Sequence, residues 1–146
     1  MKGQCMCGAV TFEARPSKMT FDACHCGMCR AWTGSMFTGV HLTPGEFTVL
    51  TGADRIRSLA SSEWAERAWC DACGGNLYYR VTAEGPNQGD THLALGTLEN
   101  PDAFDFESEI FIDRKPGCFA FEGSRPTMTE AEVVAQFASP AEETTQ

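Results

Sequence analysis

Seven of the eight cysteines fall into three short clusters: Cys5-Met6-Cys7, Cys24-His25-Cys26-Gly27-Met28-Cys29 and Cys70-Asp71-Ala72-Cys73. Only Cys118 lies outside them. Two cysteines separated by two residues in a tight turn can aim both sulfurs at one ion, and Zn²⁺ accepts such thiolates at about 2.3 Å. Gly74-Gly75 after Cys73 strengthens that reading, because glycine lets the chain turn and present backbone N–H groups to thiolates. Gly8 and Gly27 can serve the other clusters in the same way.

Seven ligands divide into three and four. Cys24, Cys26 and Cys29 fall within six residues and can share one ion, which leaves Cys5, Cys7, Cys70 and Cys73 for a closed tetrahedral site. A zinc with three protein ligands keeps a position for water or substrate, the general mark of a catalytic site. Two zinc ions per chain are therefore expected. On spacing alone a mixed assignment stays open, as does a fourth protein ligand from His25, His41, His92 or Cys118.

Several neighbours of the second cluster invite chemical roles. Arg30 could lower the pKa of a bound thiol or hold a ligand carboxylate, although an ion pair with one of twenty acidic residues is the ordinary alternative. His25, between two ligands, is expected to point away from the metal, where it could brace a ligand or act as a general acid. Thr33, Gly34 and Ser35 offer hydroxyl or backbone donors to an oxyanion, and are equally ordinary in a loop. Trp32, Phe37, Trp69 and Tyr78 read as core. Cys118 reads as a half-buried free thiol.

The elements that must position these residues read as short strands. Ala9 to Ala14 alternates apolar and polar and stops before Pro16, and similar runs recur at Phe37 to Leu42, Phe47 to Thr51, Asp54 to Leu59, Glu66 to Cys70, Leu77 to Val81, His92 to Leu98 and Phe106 to Asp113. Pro44-Gly45, Gly52, Gly74-Gly75, Gly85-Pro86-Asn87, Asn100-Pro101-Asp102 and Pro116-Gly117 punctuate them. The prediction is an all-β chain with one late helix at Thr129 to Phe137, capped by Thr129. Residues 1–128 read as one domain, and residues 129–146 as an extension whose end, from Ser139, is a frayed tail.

Composition narrows the functional classes. With 42% hydrophobic and 21% charged residues the chain should fold around a core rather than stay disordered. Its formal charge of −9 opposes binding to nucleic acid or an anionic membrane surface, and seven thiolates on two Zn²⁺ would make it more negative still. Met1-Lys2-Gly3-Gln4-Cys5 begins no apolar leader and no run approaches the ~18 apolar residues of a membrane span. The expectation is a cytoplasmic protein, whose thiols stay reduced and bind metal rather than one another.

The motifs also carry a resemblance. Gly3-Gln4-Cys5-Met6-Cys7-Gly8-Ala9-Val10, the Cys24 to Arg30 cluster with Thr33-Gly34-Ser35, Trp69 to Tyr78 and Gly96-Thr97-Leu98-Glu99-Asn100-Pro101 together resemble the glutathione-dependent formaldehyde-activating enzyme family, which includes centromere protein V. The likeness runs from Gly3 to about Phe119. It implies a β-tent fold of short antiparallel strands, a four-cysteine structural zinc on Cys5, Cys7, Cys70 and Cys73, and a catalytic zinc on Cys24, Cys26 and Cys29 open to the glutathione thiol. The implied activity is that of a carbon-sulfur lyase, adding glutathione or a similar thiol to a small aldehyde such as formaldehyde, or releasing it. Two rivals accompany this reading: a zinc-stabilised binding module without turnover, and a glutathione-dependent enzyme acting on another electrophile.

Overall fold

The computed structural model describes residues 1–137, so the expectation of a frayed tail lies outside the described residues. Among the described residues eleven strands form two sheets. The smaller has the order β1-β2-β5, from Lys2–Gln4 (β1), Thr11–Ala14 (β2) and Phe47–Thr51 (β5). The larger runs β11-β10-β3-β4-β9-β8-β7-β6. Its strands are Thr20–Cys24 (β3), Phe37–Leu42 (β4), Ile56–Ala60 (β6), Ala65–Cys70 (β7), Asn76–Val81 (β8), Thr91–Ala94 (β9), Asp105–Ile110 (β10) and Thr127–Met128 (β11). The all-β expectation holds.

β1, β3 and β11 lie outside the expected runs, and the run expected from Asp54 begins at Ile56, after a 3-10 turn at Ala53–Arg55; three further details differ from the expectation. A short helix, α1 at Gly27–Thr33, rises out of the second cysteine cluster. β10 pairs in parallel with both β3 and β11, whereas antiparallel pairing was expected throughout. The strands expected to reach Leu98 and Asp113 end at Ala94 and Ile110, where single 3-10 turns take over at Leu95–Thr97 and Ile112–Arg114. Phe111 enters the second turn at φ 55, and it is the one non-glycine residue with positive φ among those described.

The late helix, α2 at Glu130–Phe137, forms as expected. Thr129 caps it: Glu132 N–H donates to Thr129 Oγ1 at 3.3 Å, and Thr129 N–H donates back to the Glu132 carboxylate at 2.7 Å. This reciprocal pair satisfies two donors that the first helical turn leaves over.

The sheets enclose one apolar cluster that includes Val10, Phe12, Val40, Leu42, Ala68, Leu77, Tyr78 and Leu93, together with Cys5 and Cys70. Successive strand residues alternate in face. Because Val40, Ala68, Tyr78 and Leu93 face the core, His41, Arg67, Tyr79 and His92 line the other face of the larger sheet. Register makes these four one continuous row: His41 pairs with His92, His92 with Tyr79, and Tyr79 with Arg67. α1 packs on the same face, its Trp32 ring 5.2 Å from that of Phe37, and Phe37 is paired with Cys24. No helix among the described residues is long and apolar enough to cross a membrane.

Candidate metal centres

The four outer cysteines come together from two turns of like construction. In the first, Gly8 N–H donates to Cys5 O at 3.0 Å and Gly8 takes φ 77; in the second, Gly74 N–H donates to Cys70 O at 2.8 Å and Gly74 takes φ 71. Both glycines adopt a backbone conformation that a side chain would strain. The turns face each other, with Cys5 and Cys7 sulfurs 3.6 Å apart and Cys7 and Cys70 sulfurs 4.0 Å apart. A tetrahedron with metal–sulfur bonds of about 2.3 Å has edges of about 3.8 Å. Spacing and donor type both fit zinc.

Val10 N–H donates to Cys5 Sγ at 3.3 Å. Burial pushes the Cys5 thiol up, yet this bond and those from Cys7 and Cys70 outweigh it and bring the thiol down to about 6. Cys7 is held up at about 11, where a backbone bond from Ala9 that lowers it is outweighed by the sulfur of Cys5, burial and the remaining cysteines. A cation drawing all four into thiolate form would displace the protons they now share.

The inner cluster depends on α1. Cys24 ends β3, His25 N–H donates to Ile110 O of β10 at 3.1 Å, and Cys26 then caps the helix, its sulfur accepting from Cys29 N–H at 3.3 Å. The first helical turn carries Cys29 back over Cys26. At the other end Gly34, at φ 79, donates to Arg30 O and stops the helix. The sulfurs of Cys24, Cys26 and Cys29 lie within 4.8 Å of one another, and among the described residues no fourth cysteine, histidine or carboxylate joins them. Cys26 is driven well down by hydrogen bonds from Cys24 and Cys29, with the charge of Arg67 adding to the effect, while the sulfurs of Cys26 and Cys29, with burial, hold Cys24 far up.

Of the other residues singled out in sequence, His25 is fully buried and pairs with Glu109. The Thr33 hydroxyl faces the backbone carbonyls of Cys29 and Ser35 at 2.9 and 2.8 Å, and the Ser35 hydroxyl faces Met36 Sδ at 3.3 Å. Both serve the end of α1. Arg30 makes no hydrogen bond to a cluster sulfur among the described residues, and its buried Nε has no partner there. His41 and His92 lie in the cross-sheet row, outside both sulfur clusters. Trp32 is partly buried beside Phe37, and Tyr78 is core. Cys118 is exposed rather than half-buried.

Sequence reasoning missed Arg67. It is 6% exposed, with Nη2 at 3.4 Å from Cys29 Sγ and Nη1 at 2.6 Å from Ser61 Oγ. Its guanidinium lies 5.6 Å from the Trp32 ring centre and 5.2 Å from that of Tyr79. The strand pattern held no clear signal: Arg67 lies on the face opposite core-facing Ala68 and Cys70, and only the packing of α1 on that face buries it.

An all-β chain with a four-sulfur and a three-sulfur cluster, each able to hold a cation, defines a class of small thiolate metal-centre proteins. The family model for glutathione-dependent formaldehyde-activating enzyme matches residues 1–114, and the chain belongs to that family. It is 31% identical, over 91% of its length and 93% of the other's, to an uncharacterized lyase of Schizosaccharomyces pombe. A protein of Aspergillus flavus that carries the family's name provisionally is 28% identical over 58% of this chain and 46% of its own length. Among solved structures, a Rhodobacter sphaeroides protein superposes with a TM-score of 0.58 at 24% identity, covering 68% of this chain and 88% of that one. That likeness concerns the fold.

Proposed function

We propose that the chain is a carbon-sulfur lyase that binds glutathione or a similar thiol at the Cys24, Cys26, Cys29 centre and adds it to, or releases it from, a small aldehyde such as formaldehyde. The observation that carries this reading is the unequal pair of clusters: four sulfurs gather at one site and, among the described residues, three at the other, which would leave a tetrahedral cation there one ligand short. Cys5, Cys7, Cys70 and Cys73 would hold a structural zinc that ties β1 to the β7–β8 turn. Zinc on the three-cysteine centre would supply a Lewis acid that favours the thiolate form of an added sulfur ligand.

The remaining work falls to the chain. Cys26 caps α1 and Cys29 sits one turn on, so the helix holds the ligand geometry without a flexible loop. Attack of the thiol sulfur on the aldehyde carbon forms the C–S bond. The carbonyl π pair moves to oxygen, which takes up the proton that the thiol gave up; release reverses each of these changes. Arg30 follows Cys29 directly, and its guanidinium is the group proposed to meet a ligand carboxylate or the developing oxyanion, while Thr33 and Ser35 fix the end of the helix that carries it.

NMR exchange spectroscopy of glutathione with ¹³C-labelled formaldehyde tests the activity. Interconversion of free and S-hydroxymethyl glutathione should be faster with the wild type than with Cys29→Ser. Equal rates would overturn the formaldehyde reading.

A further inference from the structure

Arg67 poses an electrostatic problem. A guanidinium is charged at any ordinary pH, and taking it out of water is costly unless an anion compensates it. At 6% exposure Arg67 has no carboxylate within ion-pair distance among the described residues, and the polar groups around Nη1 and Nη2 are a hydroxyl and two sulfurs. Its Nε is buried without a partner there. The negative charge it faces is that of the three-cysteine cluster. Among the described residues the four-cysteine cluster has no such cation: the contacts to its sulfurs come from backbone N–H groups and its own members.

We infer that Arg67 is the positioning residue that lets the three-cysteine centre accept an anionic sulfur ligand. This rests on the thiol reading above. Three thiolates on a dication leave a net charge of −1, and a fourth thiolate raises it to −2; a fixed guanidinium against Cys29 brings the assembly back to −1. Clamped by Trp32, Tyr79 and Ser61, the guanidinium loses little freedom when the ligand arrives, so its charge is already in place. Five N–H donors on a rigid fork exceed the partners it has, which leaves it capacity for the incoming sulfur. A neutral ligand such as imidazole gains nothing from this compensation. The effect is a preference for thiolate over neutral donors.

The test uses full-length protein with cobalt in place of zinc, titrated separately with reduced glutathione and with imidazole while the absorption bands of the cobalt are followed. Arg67→Gln should retain two cobalt ions per chain, weaken glutathione binding by roughly 10-fold or more, and leave imidazole binding unchanged, since hydrogen bonds involving charged groups contribute about 1.5–3 kcal/mol. Arg67→Lys should recover part of the loss. If the wild type takes up no thiol, both the thiol reading and this inference fall. If the wild type takes up glutathione and Arg67→Gln takes it up equally well, or loses imidazole in the same proportion, only the inference falls. Should Arg67→Gln lack the wild-type circular dichroism spectrum, Ser61→Ala decides by the same readout. Freeing Nη1 from its anchor should weaken glutathione about 3-fold and spare imidazole, and no difference between the two ligands would overturn the proposal.

Discussion

The buried His25 Nε2 lies 2.9 Å from Glu109 Oε1, so a carboxylate on β10 grips the residue between two cysteines of the inner cluster. The other oxygen, Oε2, accepts from Arg125 Nη1 at 3.0 Å, and the Arg125 guanidinium sits 4.0 Å from the Phe106 ring centre. Burial raises the Glu109 carboxyl, but the hydrogen bonds from His25 and Arg125, with the charges of His25 and Lys115, outweigh it and hold it below the usual glutamate range. A carboxylate depressed on folding adds stability that is fully present above its unfolded pKa of about 4.3, and that stability is lost as pH falls through the lower folded value. We expect Glu109→Gln to cost roughly 1–3 kcal/mol at neutral pH and to shrink that cost towards acid, because the wild type loses the same interaction there. Denaturant melts at several pH values check this. A cost that stayed constant down to acid pH would show that the charge on Glu109 contributes nothing.

Gly3 stands in β1 where no side chain fits. A Cβ there would lie 2.3 Å from the Phe12 ring and 2.7 Å from Thr97 O. Phe12 is fully buried and cannot swing aside cheaply, so Gly3→Ala should destabilise by roughly 1–3 kcal/mol through overpacking. Gly117→Ala is the control, because a Cβ added there would meet nothing within 4 Å. Thermal melts of the two variants should separate by several degrees, and coincident melts would mean that the β1–β2 contact yields easily.

The two variants Cys70→Ser and Cys29→Ser should fail in different ways. Cys70 is completely buried and belongs to the core, and the metal free energy of a closed site is largely folding free energy. Its loss should unfold or aggregate the chain. Cys29→Ser should lose one of two zinc ions by metal analysis and keep most of its β circular dichroism, since the sheets pair without the helix that carries Cys29. Equal damage in both would erase the distinction between a structural and a functional centre.

What sequence could reveal depended on the distance between partners. Cys5 with Cys7, and Cys70 with Cys73, each sit in one turn, so the grouping of the sulfurs and their glycines was legible before the fold. α1 was not. Seven residues give too little period to separate from a loop, and its cap is a cysteine where serine, threonine, asparagine or aspartate is the usual signal. The contact of Arg67 with Cys29 spans 38 residues and exists only because β7 pairs with β8 beneath α1. Arg30, adjacent in sequence, drew attention that proximity in space gives to Arg67. Likewise, the parallel pairing of β10 with β3 joins segments separated in sequence by most of the other strands, and no local pattern encodes it.

Cys118 offers the last test, because it is exposed and belongs to neither sulfur cluster. Thiol reagents attack accessible thiolates, and a sulfur bound to zinc is a poorer nucleophile than a free one. Burial also shields Cys5, Cys29 and Cys70, whereas Cys7 is exposed and depends on a metal for its protection. With both centres loaded, Ellman's reagent should therefore show one fast thiol per chain, rising to eight after denaturation with a chelator. Cys118→Ser should abolish the fast phase and leave both metals in place. Two or more fast thiols in the loaded protein would place the exposed Cys7 outside a closed site. A Cys118→Ser chain holding a single metal would mean instead that the segment bearing Cys118 folds over the inner cluster and supplies its fourth sulfur, and the open centre on which the proposed chemistry depends would then be closed.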